Sequence, residues 1–306
     1  MYSRKFTMND PFFSIIIPTF NRAGLIAKTI ESVLQQQVAN FELIVVDDGS
    51  TDNTREIVLA MHDERIIYRE KVNQERAVAR NFGVRLARGK YVTFLDSDDI
   101  LYLNHLGEAK EKLEALGEPE VYHQGYCVID LSGKVLSEIK LNESHINQLL
   151  FTKGNVMSCM GVFLKRSTAL VNPFNENRDL IGVEDWELWM RLAGRFTIFH
   201  NGKITGAITN HGGRSVSRLE EKSLVDRMST LITCVDGDKR VKEKYKAFRK
   251  ILEANTQTYI SLHLSESGNF KSRSFHYLAR ACSIHPGVLL KRRTLAIFRN
   301  ILFRWN

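Results

Sequence analysis

The stretch FFSIIIPTFNRAGLIAKTIESVLQQQVANFELIVVD, residues 12–47, decides the fold. It opens with a continuous apolar run, ended by Pro18, that is typical of a strand buried on both faces of a parallel sheet. Apolar residues then recur at helical spacing between Leu25 and Leu34, and a second apolar run follows at 41–46. The order of strand, helix and strand predicts a parallel α/β sheet.

The same alternation continues to residue 99. The apolar pattern predicts a helix around 54–61, a short strand at 66–68, a helix over 75–88 and a strand at 91–95. We therefore expect a Rossmann-like, mostly parallel sheet that is flanked by helices.

Polar residues follow three of these predicted strands. Pro18 and Thr19 end the first strand, Asp47-Asp48 the second, and Asp96-Ser97-Asp98 the fourth. Ligands of open α/β sheets bind at the carboxyl ends of the strands. The sequence therefore predicts one binding edge that is rich in carboxylates.

Beyond residue 120 the pattern changes. Between 120 and 215 we expect a helix that opens at Glu184 and short strands at 121–122, 126–129, 196–199 and 204–208. From about 216 the pattern is helical, with four helices of which the last covers 286–305. The predicted organisation is an N-terminal tail at 1–10, an α/β domain at 11–215 and a basic all-helical C-terminal region at 216–306.

The charge is unevenly distributed. The 306 residues carry a formal net charge of +8, yet residues 1–215 hold 25 Lys and Arg against 27 Asp and Glu. Residues 216–306 hold 18 against 8, so the positive excess lies in the last part of the chain. Such asymmetry suggests two parts with different partners.

Several classes of protein are disfavoured by what the sequence lacks. The four cysteines lie at wide, unrelated spacings, which argues against a zinc site or a disulfide framework and for reduced thiols. The absence of GxGxxG and Walker A motifs disfavours nicotinamide enzymes and P-loop NTPases. The polar N-terminus does not resemble a signal peptide, and no apolar run reaches 18 residues, so we expect a cytoplasmic protein.

The acidic strand ends allow two interpretations each. Two carboxylates at 96–98 suit Mg²⁺, which usually takes one or two carboxylates together with substrate phosphates, and the same residues are also common in turns. Asp47 and Asp48 are likewise either turn residues or carboxylates that accept hydrogen bonds from a base or ribose.

Glu184 and Asp185 open the predicted helix of the middle region. Acidic residues in a first helical turn are favoured by the helix dipole, which is sufficient reason for their presence. Alternatively, a carboxylate at this position takes part in catalysis as a proton acceptor. Trp186 and Trp189 share one helical face, in the core or against an acceptor.

Five segments, taken in order, resemble the family 2 glycosyltransferases of the GT-A fold. They are SIIIPTFNR at 14–22, VVDDGSTD at 45–52, ARNFG at 79–83, GKYVTFLDSDD at 89–99 and EDW at 184–186. The resemblance implies the nucleotide-sugar-binding GT-A fold and an inverting transfer from a nucleotide-sugar, usually a UDP-sugar, assisted by Mg²⁺ or Mn²⁺. It also implies a saccharide or lipid-linked acceptor in bacterial-type cell-surface polysaccharide or glycoconjugate assembly.

The resemblance assigns the donor side of the site to residues near the first strands. It implies a nucleoside pocket with Asp47 hydrogen-bonded to the uracil, and the neighbouring residues are Pro18, Thr19, Phe20, Arg22 and Asp48. Arg76 and Arg80 are implied to approach the nucleotide or its diphosphate. This chain has Asn73-Gln74-Glu75 where the family often has Asn-x-Gly, so we expect the loop before Arg76 to differ in shape.

The resemblance also assigns the reacting end. Asp96 is implied to face the ribose or sugar, and Ser97 beside it to bind the nucleotide. Asp98 is implied to bind the metal, and His211 to contact the metal or the diphosphate. Asp185 matches the general base of the family, and Glu184 is its neighbour at the acceptor edge.

The last segment, 287–305, is predicted to be a basic amphipathic helix. It either binds an anionic membrane surface, which makes the protein peripheral at the inner face of the membrane, or packs on the protein. Nucleic acid is not expected as a partner, because no recognised motif accompanies the basic charge. Self-association into a homo-oligomer is left open.

Two other functions are consistent with a similar sheet. A nucleotidyltransferase that makes nucleotide-sugars usually has a Gly-rich activating loop after the first strand, and residues 18–22 do not supply one. A non-catalytic binding module is favoured where the acidic residues are lost, whereas Asp47, Asp98 and Asp185 are all present.

Overall fold

A computed structural model describes residues 10–211, 220–266 and 271–303 of the chain. The start of the predicted tail at 1–9, the start of the predicted C-terminal region at 216–219, and Arg304 and Trp305 of the predicted last helix lie outside the described residues.

The apolar runs of the sequence form strands that pair into one mixed sheet. The strands are β1 (Phe13–Thr19), β2 (Phe41–Asp47), β3 (Ile66–Glu70), β4 (Tyr91–Phe94), β5 (Ile100–Leu101), β6 (Val121–Asp130), β7 (Val135–Ile139), β8 (Val162–Lys165) and β9 (Ile198–Asn210). Every residue of β1 and β2 is buried, as expected for strands covered on both faces.

The helices of the described residues alternate with the first strands and then dominate the end of the chain. They are α1 (Ile26–Leu34), α2 (Thr54–Leu59), α3 (Arg76–Leu86), α4 (His105–Ala115), α5 (Leu149–Thr152), α6 (Arg166–Val171), α7 (Glu184–Arg195), α8 (Glu221–Gly237), α9 (Lys239–Tyr245), α10 (Arg249–Glu266), α11 (Lys271–Ile284) and α12 (Arg292–Phe303).

The chain divides into two compact units. The first comprises residues up to 146, 157–176 and 196–211, and the second comprises 147–156, 177–195 and the residues from 212 onward. All nine strands belong to the first unit, together with α1–α4 and α6. The second unit is helical and includes α7, which carries the predicted general base.

The sheet of the first unit has the order β3-β2-β1-β4-β8-β6-β9-β5, and β7 pairs with β6. Strands β3, β2, β1 and β4 are parallel, whereas β8 is antiparallel to both of its neighbours. This confirms the predicted α/β fold with its parallel first half. Helix α3 lies close against β1, since a Cβ on Gly83 would be 2.4 Å from Cγ2 of Ile16.

Two predicted interruptions were wrong. Residues 121–130 form the single strand β6, and residues 198–210 form the single strand β9, where two strands each were expected. β6 and β9 pair in parallel, and their register shifts on either side of Gly125. Such irregularities disturb the alternation of the sequence without ending the pairing, which is why the pattern suggested breaks.

The described residues from 220 onward are helical, as predicted. The last predicted helix, however, is divided into two segments. The predicted last helix, 286–305, is a 3₁₀ helix at Pro286–Leu290 followed by α12. Lys291 separates the two because its backbone is extended, with φ −88° and ψ 143°. None of the helices in the described ranges combines the length and hydropathy needed to cross a membrane.

Candidate active site

The ends of β1 and β2 meet as predicted, and Asp47 lies in the polar edge they form. The backbone N–H of Asp48 donates to the carbonyl of Thr19 at 2.8 Å. Asp47 is only 1% exposed, and its two carboxylate oxygens accept hydrogen bonds from the Ser50 N–H and the Tyr68 hydroxyl, each at 2.7 Å. Burial and this hydrogen bond raise the pKa of Tyr68, so the phenol stays a donor.

Asp48 organises the loop that leads into α3. Its carboxylate accepts hydrogen bonds from the backbone N–H groups of Gln74 at 3.0 Å and Glu75 at 2.8 Å. It also forms a buried ion pair with Lys71 at 2.5 Å. Sequence reasoning missed Lys71, although its position one residue after β3 places it at the same strand-end edge.

The loop at 73–75 contains an unusual backbone conformation. Glu75 has φ 80° and ψ 163°, a region that glycine enters easily and other residues rarely adopt. Arg76 follows directly as the first residue of α3 and is half-buried.

The turn after β1 presents an aromatic ring and a cation. Asn21, at φ 52°, accepts a hydrogen bond from the Thr51 N–H at 2.8 Å, and the Arg22 N–H donates to the Thr54 hydroxyl at 2.9 Å. These contacts join the turn to the loop after β2. Phe20 remains 45% exposed at this edge, which leaves its ring available to a ligand.

Arg80 and Asp96 form an ion pair beneath the acidic turn. The Arg80 guanidinium is 1% exposed, donates to Asp96 at 2.6 Å and lies 5.2 Å from the ring centre of Phe174. Asp96 retains 31% side-chain exposure, while Ser97 beside it is buried. Arg80 therefore orients the more exposed Asp96 carboxylate from the interior.

Asp98 and His211 come together although 113 residues separate them. Nε2 of His211 lies 2.9 Å from Oδ2 of Asp98, and Arg22 approaches the same oxygen at 3.6 Å. Next to this contact lies Asp99, a buried residue that sequence reasoning did not assign to the site. Its carboxylate accepts a hydrogen bond from the Thr209 N–H at 2.9 Å, which ties the end of β9 to the acidic turn.

The chemistry of Asp98 and His211 can be compared with what a metal ion requires. A carboxylate oxygen and an imidazole nitrogen converge at Asp98 and His211, and both are accepted ligands of Mn²⁺ and related ions. The described ranges contain no group of three or more His, Cys, Asp and Glu residues arranged to hold a metal ion. The pair therefore fits an ion that takes its remaining oxygens from substrate phosphates and water.

Glu184 and Asp185 begin α7 in the second unit, and their carboxylates have different surroundings. Glu184 is buried and accepts a hydrogen bond from the Gly182 N–H at 2.6 Å. Asp185 is half-buried, and its Oδ2 accepts a hydrogen bond from the Asn155 amide at 3.0 Å. Trp186 and Trp189 are buried in the core.

The sequence matches the model of Glycosyl transferase family 2 over residues 14–167. WfgD, a UDP-Glc:alpha-D-GlcNAc-diphosphoundecaprenol beta-1,3-glucosyltransferase of Escherichia coli, is 35% identical over 60% of this chain and 71% of that enzyme. Uncharacterized glycosyltransferases of Rickettsia bellii and Rickettsia felis also match. The chain spans 27% and 35% of their respective lengths.

Solved structures share the fold at low sequence identity. Residues 1–349 of TarS from S. aureus superpose with a TM-score of 0.66 and 18% identity, covering 94% of this chain and 88% of that one. The mannosyltransferase PcManGT from Pyrobaculum calidifontis, solved in complex with GDP-Man and Mn²⁺, gives a TM-score of 0.59 at 16% identity, covering 97% and 89%. These similarities confirm the predicted glycosyltransferase fold.

Proposed function

This chain belongs to glycosyl transferase family 2, and from that premise we propose that it transfers a sugar from a UDP-sugar to a hydroxyl of a saccharide or lipid-linked saccharide. The transfer inverts the anomeric carbon and requires Mg²⁺ or Mn²⁺. The E. coli relative uses UDP-Glc and a diphosphoundecaprenol-linked acceptor, which supports this donor and this acceptor class.

The observation that carries the proposal is the convergence of Asp98, His211 and Arg22. It places a carboxylate, an imidazole and a guanidinium at the carboxyl-end edge of the sheet, where nucleotide ligands of α/β sheets bind. A site of this composition suits a metal-bound diphosphate, because the cation and the guanidinium both compensate phosphate charge.

On the donor side, the protein binds the nucleotide-sugar and compensates the negative charge of its diphosphate. Asp98 and His211 would hold the metal, and a metal bound there would supply positive charge against the leaving diphosphate. Arg22 adds a positive charge beside them. Arg80 orients Asp96 toward the ribose or sugar, and Phe20 supplies an exposed ring for the nucleoside.

The nucleoside end of the proposal rests on Pro18, Thr19, Asp47 and Asp48. Asp47 and Asp48 are already hydrogen-bonded within the strand-end loops, so they shape the pocket as well as line it. Arg76, at the start of α3, is proposed to approach the diphosphate.

The acceptor half of the mechanism is assigned to Asp185. The carboxylate accepts the proton of the acceptor hydroxyl as that oxygen attacks the anomeric carbon. The Asn155 amide fixes one oxygen of the carboxylate, which leaves the side chain oriented for this role. Glu184 supports the turn from the inside.

A donor-side test compares Asp98→Asn with the exposed turn variant Asp130→Asn as its control. UDP-sugar hydrolysis and transfer are measured with Mg²⁺, with Mn²⁺ and with a chelator. We expect Asp98→Asn to lower the rate by roughly a hundredfold or more and to weaken metal-dependent UDP binding. Equal activity of the wild type with metal and with chelator would contradict the metal assignment.

An acceptor-side test uses Asp185→Asn. We expect transfer to be lost while UDP binding, measured by calorimetry, stays within about twofold because the nucleotide contacts lie elsewhere. A variant that transfers at the wild-type rate would show that Asp185 is not the base.

The membrane part of the proposal rests on α12, whose exposed positions combine arginine with leucine. The exposed positions are, in order, Arg292, Leu295, Arg299 and Leu302. Among the described side chains of this helix, Thr294, Ile297 and Asn300 are buried. Just before the helix, Leu290 is 92% exposed. A face of alternating arginine and leucine suits an anionic lipid surface, where the leucines insert and the arginines pair with headgroups.

Vesicle co-sedimentation tests this surface. Leu295→Ser/Leu302→Ser should weaken binding to vesicles of phosphatidylglycerol by roughly a hundredfold, because two leucines no longer leave water. The control is Leu131→Ser, which changes an exposed leucine elsewhere. Equal binding of the double variant and the control would exclude α12 as the membrane contact.

The domain boundaries are part of the same proposal. Residues 11–215 would be the glycosyltransferase domain and 216–306 the basic region that holds it at the inner face of the membrane. Donor hydrolysis and vesicle binding by a chain truncated after residue 215 test this division. Hydrolysis without vesicle binding is expected, and loss of hydrolysis would contradict the boundary.

A further inference from the structure

Basic side chains of the helical unit surround the loop that carries the partner of Asp185. Nζ of Lys291 donates to the Thr152 carbonyl and to Oδ1 of Asn255, both at 2.6 Å. Nη1 of Arg293 contacts the Asn255 carbonyl at 3.3 Å and the Thr258 hydroxyl at 3.4 Å. Both cations are thus fixed at one end of loop 152–156.

Arg293 also lies against that loop itself. A Cβ added to Gly154, whose φ is 101°, would be 3.1 Å from Nη2 of Arg293. The next residue, Asn155, donates to Oδ2 of Asp185. The guanidinium is therefore one residue away from the group that positions the proposed base.

A second arginine belongs to the same neighbourhood. Arg227 of α8 lies close enough to Tyr259 of α10 to act on its hydroxyl. Burial raises the pKa of Tyr259, while the charges of Arg227 and Arg293 lower it and that of Asp185 raises it. The two arginines and the proposed base thus act on one phenol.

Neither arginine is compensated by a carboxylate in the described part of the chain. Arg227 is only 4% exposed, and its Nε and Nη1 have no hydrogen-bond partner. Residues 1–9, 212–219, 267–270 and 304–306, outside the described ranges, include no Asp or Glu. By contrast, Arg249 of α10 pairs with both Asp236 and Glu253.

A buried cation without a counter-ion destabilises a fold, and its retention requires another reason. Burial lowers the pKa of Arg293 and lowers that of Lys291 to about 8, which reflects the same lack of compensation. A ligand that carries negative charge would supply the missing counter-ion. Guanidinium groups match phosphate oxygens in geometry as well as charge.

We propose that Arg293, supported by Arg227 and Lys291, binds the phosphate or diphosphate group of an anionic acceptor beside Asp185. The inference rests on the proposed function, since it names the acceptor class for the same site. It explains why the cationic cluster adjoins the base: the acceptor hydroxyl reaches Asp185 when its phosphate is fixed next to it.

Calorimetric titration with inorganic pyrophosphate, in the presence of Mg²⁺ and saturating UDP, tests the site directly. Saturation with UDP occupies the donor site, so further binding reports a second anion site. We expect wild type and the ion-paired control Arg249→Gln to bind pyrophosphate, and Arg293→Gln to bind roughly tenfold or more weakly. Binding that is absent in the wild type, or unchanged in Arg293→Gln, would overturn the inference.

The two hypotheses fail differently in this experiment. A protein that binds UDP but not pyrophosphate retains the proposed donor specificity and loses only the acceptor-anion site. A protein that binds no UDP in the presence of Mg²⁺ or Mn²⁺ loses the proposed function itself.

Thermal unfolding of Arg227→Met gives an independent measurement. If Arg227 is retained to bind an anion, removing its uncompensated charge should leave the melting temperature unchanged or raise it, while pyrophosphate affinity falls. A lowered melting temperature with unchanged pyrophosphate affinity would show that the arginine is structural and would contradict the proposal.

Discussion

Replacing Glu75 by glycine should stabilise the first unit. Glu75 has φ 80° and ψ 163°, a conformation that costs a residue other than glycine about 1–3 kcal/mol. Glycine adopts it without this cost but loses about 0.5–1 kcal/mol through the greater freedom of the unfolded chain. The difference gives a net stabilisation of about 1 kcal/mol. For a domain of this size that corresponds to an increase in melting temperature of about 2–4 °C.

The matched control is Glu75→Ala, which removes the same carboxylate and keeps the backbone strain. The Glu75 side chain makes no capping hydrogen bond to α3, and the Asp48 contact uses its backbone N–H, which both variants retain. Urea unfolding should therefore rank the glycine variant above wild type and above the alanine variant. Equal stability of the two variants would refute the argument from strain, and altered UDP affinity in either would show a role for the carboxylate.

Three further predictions concern the stability of the fold. Burial lowers the pKa of His105 to about 4 from about 6.5 in the unfolded chain, so as pH falls from 6.5 to 4 the fold should lose about 3 kcal/mol. When urea midpoints are measured as a function of pH, His105→Gln should reduce the fall in stability between pH 6.5 and 4. The same fall in wild type and variant would show that His105 is not its cause. Gly83→Ala should cost about 1–3 kcal/mol, because its new methyl group would meet Ile16 at 2.4 Å; urea unfolding with no loss would show that α3 shifts freely. Lys71→Met should cost about 1–3 kcal/mol by leaving Asp48 without its ion-pair partner, and a double-mutant cycle with Asp48→Asn that shows no coupling would refute the pairing.

The first half of the sheet is readable from the sequence because its information is local. The runs at 12–17, 41–46 and 91–95 are apolar except for one polar residue each, and each became a strand of the parallel group. Helix α3 was predicted over 75–88 and occupies 76–86. In each case the pattern of burial along one segment specifies the element, and the parallel pairing follows from the alternation of strands and helices.

The second half of the sheet was less predictable because its irregularities depend on a partner strand. The register shifts around Gly125 arise in the pairing of β6 with β9, two strands far apart in sequence. In the sequence of one strand, a register shift shows only as a break in the alternation of apolar and polar residues. The extended Lys291 between the two last helical segments is a similar case, since its contacts are to Thr152 and Asn255.

The sequence by itself determined the α/β fold, the family and the order of acidic motifs at the strand ends, because each is encoded within short segments. Only the tertiary structure decided which groups meet. The hydrogen bond from Thr209 to Asp99 spans 110 residues, and the contact of His211 with Asp98 spans 113. The Lys71 partner of Asp48 and the uncompensated Arg227 likewise became visible only in three dimensions. Charge compensation is a property of spatial neighbours, and sequence spacing does not record it.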